Sequence, residues 1–141
     1  MIKIYSKVNP NKILHIVYRR KNIINDRENI VEPENYIQLS SLRMNAGKTF
    51  RPHKHFYKDG EDSVIAQESW VVIKGKVKCI FYDLDDSLIG TWVLESGDCS
   101  ITLEGGHNYE ILEDDTIVYE YKTGPYKGVE NDKVFIGEKD L

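Results

Sequence analysis

A chain of 141 residues is the size of one domain and can bury about two-thirds of the surface that its unfolded form exposes. Its net charge is −4, with 30% charged residues of both signs interspersed, so it has no basic field for nucleic acid. No run of 18 apolar residues marks a membrane helix, and Met1-Ile2-Lys3-Ile4-Tyr5-Ser6-Lys7 lacks the apolar run and cleavage site of a leader, which predicts a cytoplasmic protein without a membrane partner.

In chain order, residues 12–19 and 36–44 alternate between apolar and polar and are predicted strands, while the charged stretch 20–33 is a predicted loop. These first 45 residues are expected to pack as edge strands or to cross to a second subunit. Next comes Gly47-Lys48-Thr49-Phe50-Arg51-Pro52-His53-Lys54-His55. On an extended segment residues two apart share a side, so both imidazoles can face one point. Residues 56–66, containing Lys58-Asp59-Gly60-Glu61-Asp62, have the composition of a mobile loop at the mouth of any site there.

From Glu68 onward short runs rich in Val, Ile, Tyr, Phe and Trp recur at intervals close to ten: 68–73, 77–82, 88–94, 99–103, 107–112 and 116–122. Between them Gly75, Gly97, Gly105 and several aspartates supply turn chemistry. This rhythm predicts an all-β, antiparallel sandwich or barrel with little helix. Cys79 and Cys99 form no CxxC and read as two reduced core thiols, with a disulfide between neighbouring strands as the minor alternative.

Strand parity extends the histidine pair. If Trp70 and Val72 face the interior, so does Glu68. A buried carboxylate is costly unless it is paired or bound to a cation. His107 likewise shares a face with Tyr109 and Ile111. His53, His55, Glu68 and His107 are therefore the predicted ligands of a divalent transition metal (Zn, Fe, Mn or Ni), since three imidazoles and one carboxylate suit such an ion better than calcium or magnesium. His15 is left as a structural or interface residue.

The spacing Gly47-x5-His53-x-His55 followed by Glu68-x6-Gly75 resembles the first motif of the cupin superfamily, and Gly97-Asp98 with Leu103-Glu104-Gly105-Gly106-His107 resembles the second. The motif region spans 47–112, and the strand rhythm extends the likeness to about Ile136. The resemblance implies a single cupin barrel over 1–141, an antiparallel double-stranded β-helix of jelly-roll type. More narrowly, 67–75, 105–110 and Val118-Tyr119-Glu120-Tyr121-Lys122-Thr123-Gly124-Pro125-Tyr126 look like a small bacterial cupin group associated with surface-polysaccharide and sugar-nucleotide biosynthesis. Twelve residues separate His55 from Glu68 where the family has three or four, which leaves Gln67 as an alternative ligand. Leu103 replaces the usual proline, the Gly105 to His107 interval is one residue short, and the asparagine expected after that histidine is absent.

Around the metal, Tyr109 and Glu120 are the predicted proton-transfer groups, and Arg51, Lys122 and Tyr126 the predicted substrate contacts. Glu120 and Lys122 either face water or form a buried pair able to polarise an oxygenated ligand. The first functional expectation is an isomerase or epimerase of a sugar or sugar nucleotide, whose chemistry needs an enediolate stabiliser and a base. The second is a non-catalytic, metal-containing carbohydrate-binding or accessory protein, and the third an iron-dependent dioxygenase. The fold alone decides none of these. An exposed N-terminal strand invites edge pairing, so a homodimer is expected.

Overall fold

The period-two alternation of the sequence becomes strand along most of the chain in the computed structural model, which describes residues 1–57 and 65–137. Its strands are β1 (Ile2–Tyr5), β2 (Ile13–Val17), β3 (Arg27–Asn29), β4 (Ile37–Met44), β5 (His53–His55), β6 (Glu68–Lys74), β7 (Lys76–Tyr82), β8 (Leu88–Glu95), β9 (Cys99–Thr102), β10 (Gly106–Ile111), β11 (Thr116–Thr123) and β12 (Lys133–Phe135). The only helical elements among the described residues are the short 3-10 turns Arg20–Asn22 and Val129–Asn131, and no helix there is long and apolar enough to cross a membrane.

Two five-stranded sheets face each other, one ordered β12-β5-β10-β7-β8 and the other β3-β4-β11-β6-β9. All of their pairings are antiparallel, giving the jelly-roll predicted above. Leu42, Met44, Val72, Val77, Cys79, Ile111 and Val118 fill one part of the interior, capped by Trp70 and Tyr109. The tight turn between β6 and β7 depends on Gly75, whose φ of +91° lies in the left-handed region and whose missing Cβ would collide with Thr116.

Three expectations change. The stretch 20–33 is not all loop, because β3 pairs with β4 through Arg27 opposite Leu42 and Asn29 opposite Ser40. Only Cys79 is a core thiol, its pKa pushed up to about 11 by burial, whereas Cys99 is exposed on the edge strand β9. Ile2–Tyr5 was no predicted strand, yet it pairs with β2 in a separate two-stranded sheet. The predicted mouth loop lies largely outside the described residues; its flanks, Tyr57 and Ile65, form an isolated antiparallel bridge.

Candidate metal centre

Register brings the four predicted ligands together. His53 on β5 stands directly opposite His107 on β10, His55 follows two residues along, and Glu68 reaches in from β6 of the facing sheet. Gly106 permits the close approach of the C-terminal segment: a Cβ there would run into Ile136 and sit 3.4 Å from the His53 carbonyl oxygen. All four side chains are buried, and one ligand atom from each lies within 4.8 Å of the others. Gln67 is excluded as the alternative ligand, because it points to the exposed side and its amide donates to the Leu103 carbonyl.

The imidazoles are aimed by their outer nitrogens. His53 Nδ1–H donates to the Arg51 carbonyl at 3.0 Å, His107 Nδ1 lies 2.8 Å from Thr102 Oγ1, and His55 Nδ1 lies 3.2 Å from Asp132 Oδ2 and 3.3 Å from the Asp132 carbonyl. A carbonyl can only accept, so the His53 contact fixes its tautomer and turns the Nε2 lone pair inward. His53 Nε2 and His107 Nε2 are 3.1 Å apart, His55 Nε2 is 3.2 Å from Glu68 Oε2, and His107 Nε2 is 3.7 Å from the same oxygen. Around an ion with bonds of about 2.1 Å, adjacent ligands of an octahedron or tetrahedron stand about 3.0–3.4 Å apart, so the donor set fits a divalent transition metal.

Electrostatics favour the same use at His53, His107 and Glu68, and oppose it at His55. Burial, with the charge of Lys133, pushes the His53 pKa down to about 3, and burial takes His107 down to about 4 against the pull of Glu68. Both are neutral at neutral pH, the form in which imidazole binds metal. Burial also opposes the cationic form of His55, but its bonds to Asp132 and Glu68 outweigh that and raise its pKa. Burial acts to raise Glu68, yet the His55 bond and the nearby positive charges hold it well below the usual carboxylate range.

A cleft of about 520 Å³ opens over the cluster. Its walls include Arg27, Trp70, Glu120, Lys122, Tyr126 and Lys133. Glu120 and Lys122 therefore take the inward orientation left open by the sequence. Trp70 Nε1 donates to Glu68 Oε1 at 3.1 Å and to Glu120 Oε2 at 3.0 Å, which ties the predicted base to a predicted metal ligand through one indole. Arg27 grips Glu120 through both carboxylate oxygens at 3.1 Å. Burial first, then the charge of Glu68, raise the Glu120 pKa despite that guanidinium.

Two predicted site residues sit differently. The Arg51 guanidinium lies over the Phe135 ring, 4.0 Å from its centroid, and Arg51 is absent from the cleft lining; Pro52 intervenes before the strand starts, so the parity that places His53 inward does not extend to Arg51. The Tyr109 ring stacks on Trp70 at 3.9 Å and lines the cleft, but its hydroxyl is 3.3 Å from Ser100 Oγ and 3.5 Å from His107 Nδ1, behind the ligand rather than on its open side. Tyr126 and Lys122 stand together, the ammonium 4.5 Å from the ring centroid. Sequence reasoning missed Asp132, Arg27, Thr102 and Lys133. Of these only Thr102 lies in a predicted strand, 99–103, where a polar side chain carries no inward signal of its own.

No protein-family model matches the chain, and no curated protein matches it. Solved structures do. A conserved protein with a double-stranded β-helix domain from Klebsiella pneumoniae superposes with a TM-score of 0.64 at 14% identity, covering 89% of this chain and all of that one. The capsular polysaccharide assembling protein CapF from Staphylococcus aureus superposes at 0.65 with 18% identity over 80% of this chain, which spans only 33% of CapF. The cupin domain of Cnp3 from Schizosaccharomyces pombe gives 0.57 at 13% identity, covering 87% of this chain and 80% of that domain. With these neighbours and two antiparallel sheets enclosing a histidine and carboxylate cluster, this chain has the double-stranded β-helix fold of the cupin domains it superposes on.

Proposed function

We propose that this cupin-fold protein is a metal-dependent isomerase or epimerase acting on a sugar or sugar nucleotide. The observation that carries this reading is Glu120, a carboxyl with only 11% of its side chain exposed and a raised pKa, standing in the wall of the cleft that opens over the four-ligand cluster. His53, His55, Glu68 and His107 would hold the ion, which when bound supplies Lewis-acid polarisation of a carbonyl or hydroxyl oxygen.

The chain's own groups would do the rest. Glu120 removes a proton from the carbon next to the polarised carbonyl, and the C–H electron pair moves toward the carbonyl oxygen. Protonation of that carbon by solvent on its opposite face epimerises it; return of the proton from Glu120 to the former carbonyl carbon, with the adjacent hydroxyl proton passing to the former carbonyl oxygen, isomerises the sugar. Arg27 and Trp70 fix the carboxylate for this exchange, and Tyr126 offers an aromatic face to a sugar ring. The fold neighbour described as a capsular polysaccharide assembling protein agrees with a carbohydrate ligand.

Metal-loaded protein incubated in D2O with a panel of sugar nucleotides is expected to place deuterium at a carbon-bound position of one of them, read by NMR. Glu120→Gln should slow that exchange by about 100-fold or more. Tight binding without exchange would instead make the protein a non-catalytic binding module, and oxygen consumption restricted to ferrous protein would make it a dioxygenase.

A further inference from the structure

Lys133 has no role in the site as described so far, although it points straight at it. On β12 it is the register partner of His55 on β5, and antiparallel partners project their side chains from the same face. Lys122 on β11 holds the matching position in the other sheet, opposite Glu68 on β6. Each lysine is thus the cross-strand neighbour of a metal ligand, one from each sheet, and both line the cleft.

Their charges are undercompensated. Asp132 Oδ2 lies 3.2 Å from Lys122 Nζ and 3.9 Å from Lys133 Nζ, while the same oxygen faces His55 Nδ1 at 3.2 Å. One carboxylate serves three nitrogen groups. Glu120 is engaged by Arg27 and Glu68 by the cluster. Three cations, Arg27, Lys122 and Lys133, meet four carboxylates, the exposed Glu32 in the cleft lining and the enclosed Glu68, Glu120 and Asp132, so a divalent ion leaves the region one positive charge in excess. Lys133 is only 18% exposed at its side chain, where a screened surface role is excluded and an anionic partner gains most.

We propose that Lys122 and Lys133 form an oxyanion subsite beside the metal centre, so that the ligand is an acidic sugar carrying a carboxylate or phosphate next to the oxygen atoms held at the cluster. This rests on the metal-dependent carbohydrate reading and narrows it from sugars in general to acidic ones. Lys122 approaches the anion from the β11 side and Lys133 from the β12 side, which positions the sugar with its neighbouring carbon toward Glu120.

Zinc-loaded protein is titrated calorimetrically with glucuronate, glucose 1-phosphate and glucose, with zinc content measured on the same samples. The expected result is binding of at least one acid about tenfold or more tighter than glucose, and loss of that preference in Lys133→Gln with zinc retained. The acid that binds separates a carboxylate from a phosphate subsite. Lys122→Gln provides the second variant should Lys133→Gln lose zinc or fold. Wild-type protein that holds zinc but binds neither acid better than glucose overturns the subsite, as does unchanged acid affinity in zinc-loaded Lys133→Gln. Absence of zinc from the wild type sinks the metal centre itself, a separate failure.

Discussion

The same strands build two unlike halves of one barrel interior. Along β6 the inward residues run Glu68, Trp70, Val72; along β10 they run His107, Tyr109, Ile111; along β11 they run Lys122, Glu120, Val118; and β4 follows with Gln38, Ser40, Leu42, Met44. One end of each strand is charged or polar and the other apolar. Between the ends Trp70 and Tyr109 stack almost parallel, at 6°, as a lid over the apolar half and a floor for the cleft. The apolar half supplies burial free energy. The polar half spends some of it on desolvated charges, which persist because each is bonded and because a cation suits the donor set.

That division can be broken from either end. The largest effect is expected at the cluster: His107→Ala removes a fully buried ligand and should lower metal affinity by more than about 100-fold, read by competition with a chromogenic chelator, while the apolar half keeps the chain folded. Conversely, Ile111→Ala, on the same strand and face, should cost about 2–5 kcal/mol of stability in urea unfolding and leave metal stoichiometry unchanged in the folded protein. If Ile111→Ala abolished metal binding below its unfolding midpoint, the two halves would not be separable. A smaller effect is expected from Asp132→Asn, which keeps the shape but weakens the orientation of His55 and should cost about 10–100-fold in metal affinity.

The two halves also differ in how far they were legible. Period-two parity was enough for Glu68, Trp70 and Val72, and for His107, Tyr109 and Ile111, because β6 and β10 are long enough to show alternation with an apolar anchor. It left β11 open, because Tyr119 and Tyr121 on one face compete with Val118 on the other as the apolar side. The two tyrosines lie on the outer side of the sheet, where they line a groove with Ile16, Tyr18 and Leu39 and Tyr121 is exposed, so this strand carries apolar rings outside the core and the apolar-inward rule loses its force. Asp132, Lys133 and Arg27 were out of reach for a different reason. They sit in or beside three-residue strands, β12 and β3, which exist only through pairing with β5 and β4. No local propensity marks so short a strand. Arg51, two residues before His53, would share its face on a continuous strand, but β5 begins only at His53, after Pro52, and the guanidinium lies over Phe135.

Proton linkage gives the finest test of the division, because in metal-free protein the pH dependence should come from the polar half. His53 and His107 have folded pKa values of about 3 and 4, below the value of about 6.5 expected unfolded, so between these limits the unfolded chain binds more protons. Stability must therefore fall as pH drops below about 6.5, by up to about 1.4 kcal/mol per pH unit for each of the two. His55 acts oppositely: its pKa is raised, so its stabilisation is complete below the unfolded value and is lost as pH rises through the folded one. Asp132, lowered to about 2, contributes stability above its unfolded value that disappears only in stronger acid, as pH falls through the folded one. Chelator-treated protein is thus expected to be most stable near pH 6.5, with a decline on the acid side that halves in slope when His53→Gln removes one of the two groups. An acid limb unchanged in His53→Gln would place the linkage outside the cluster and leave the polar half without the energetic signature that its burial demands.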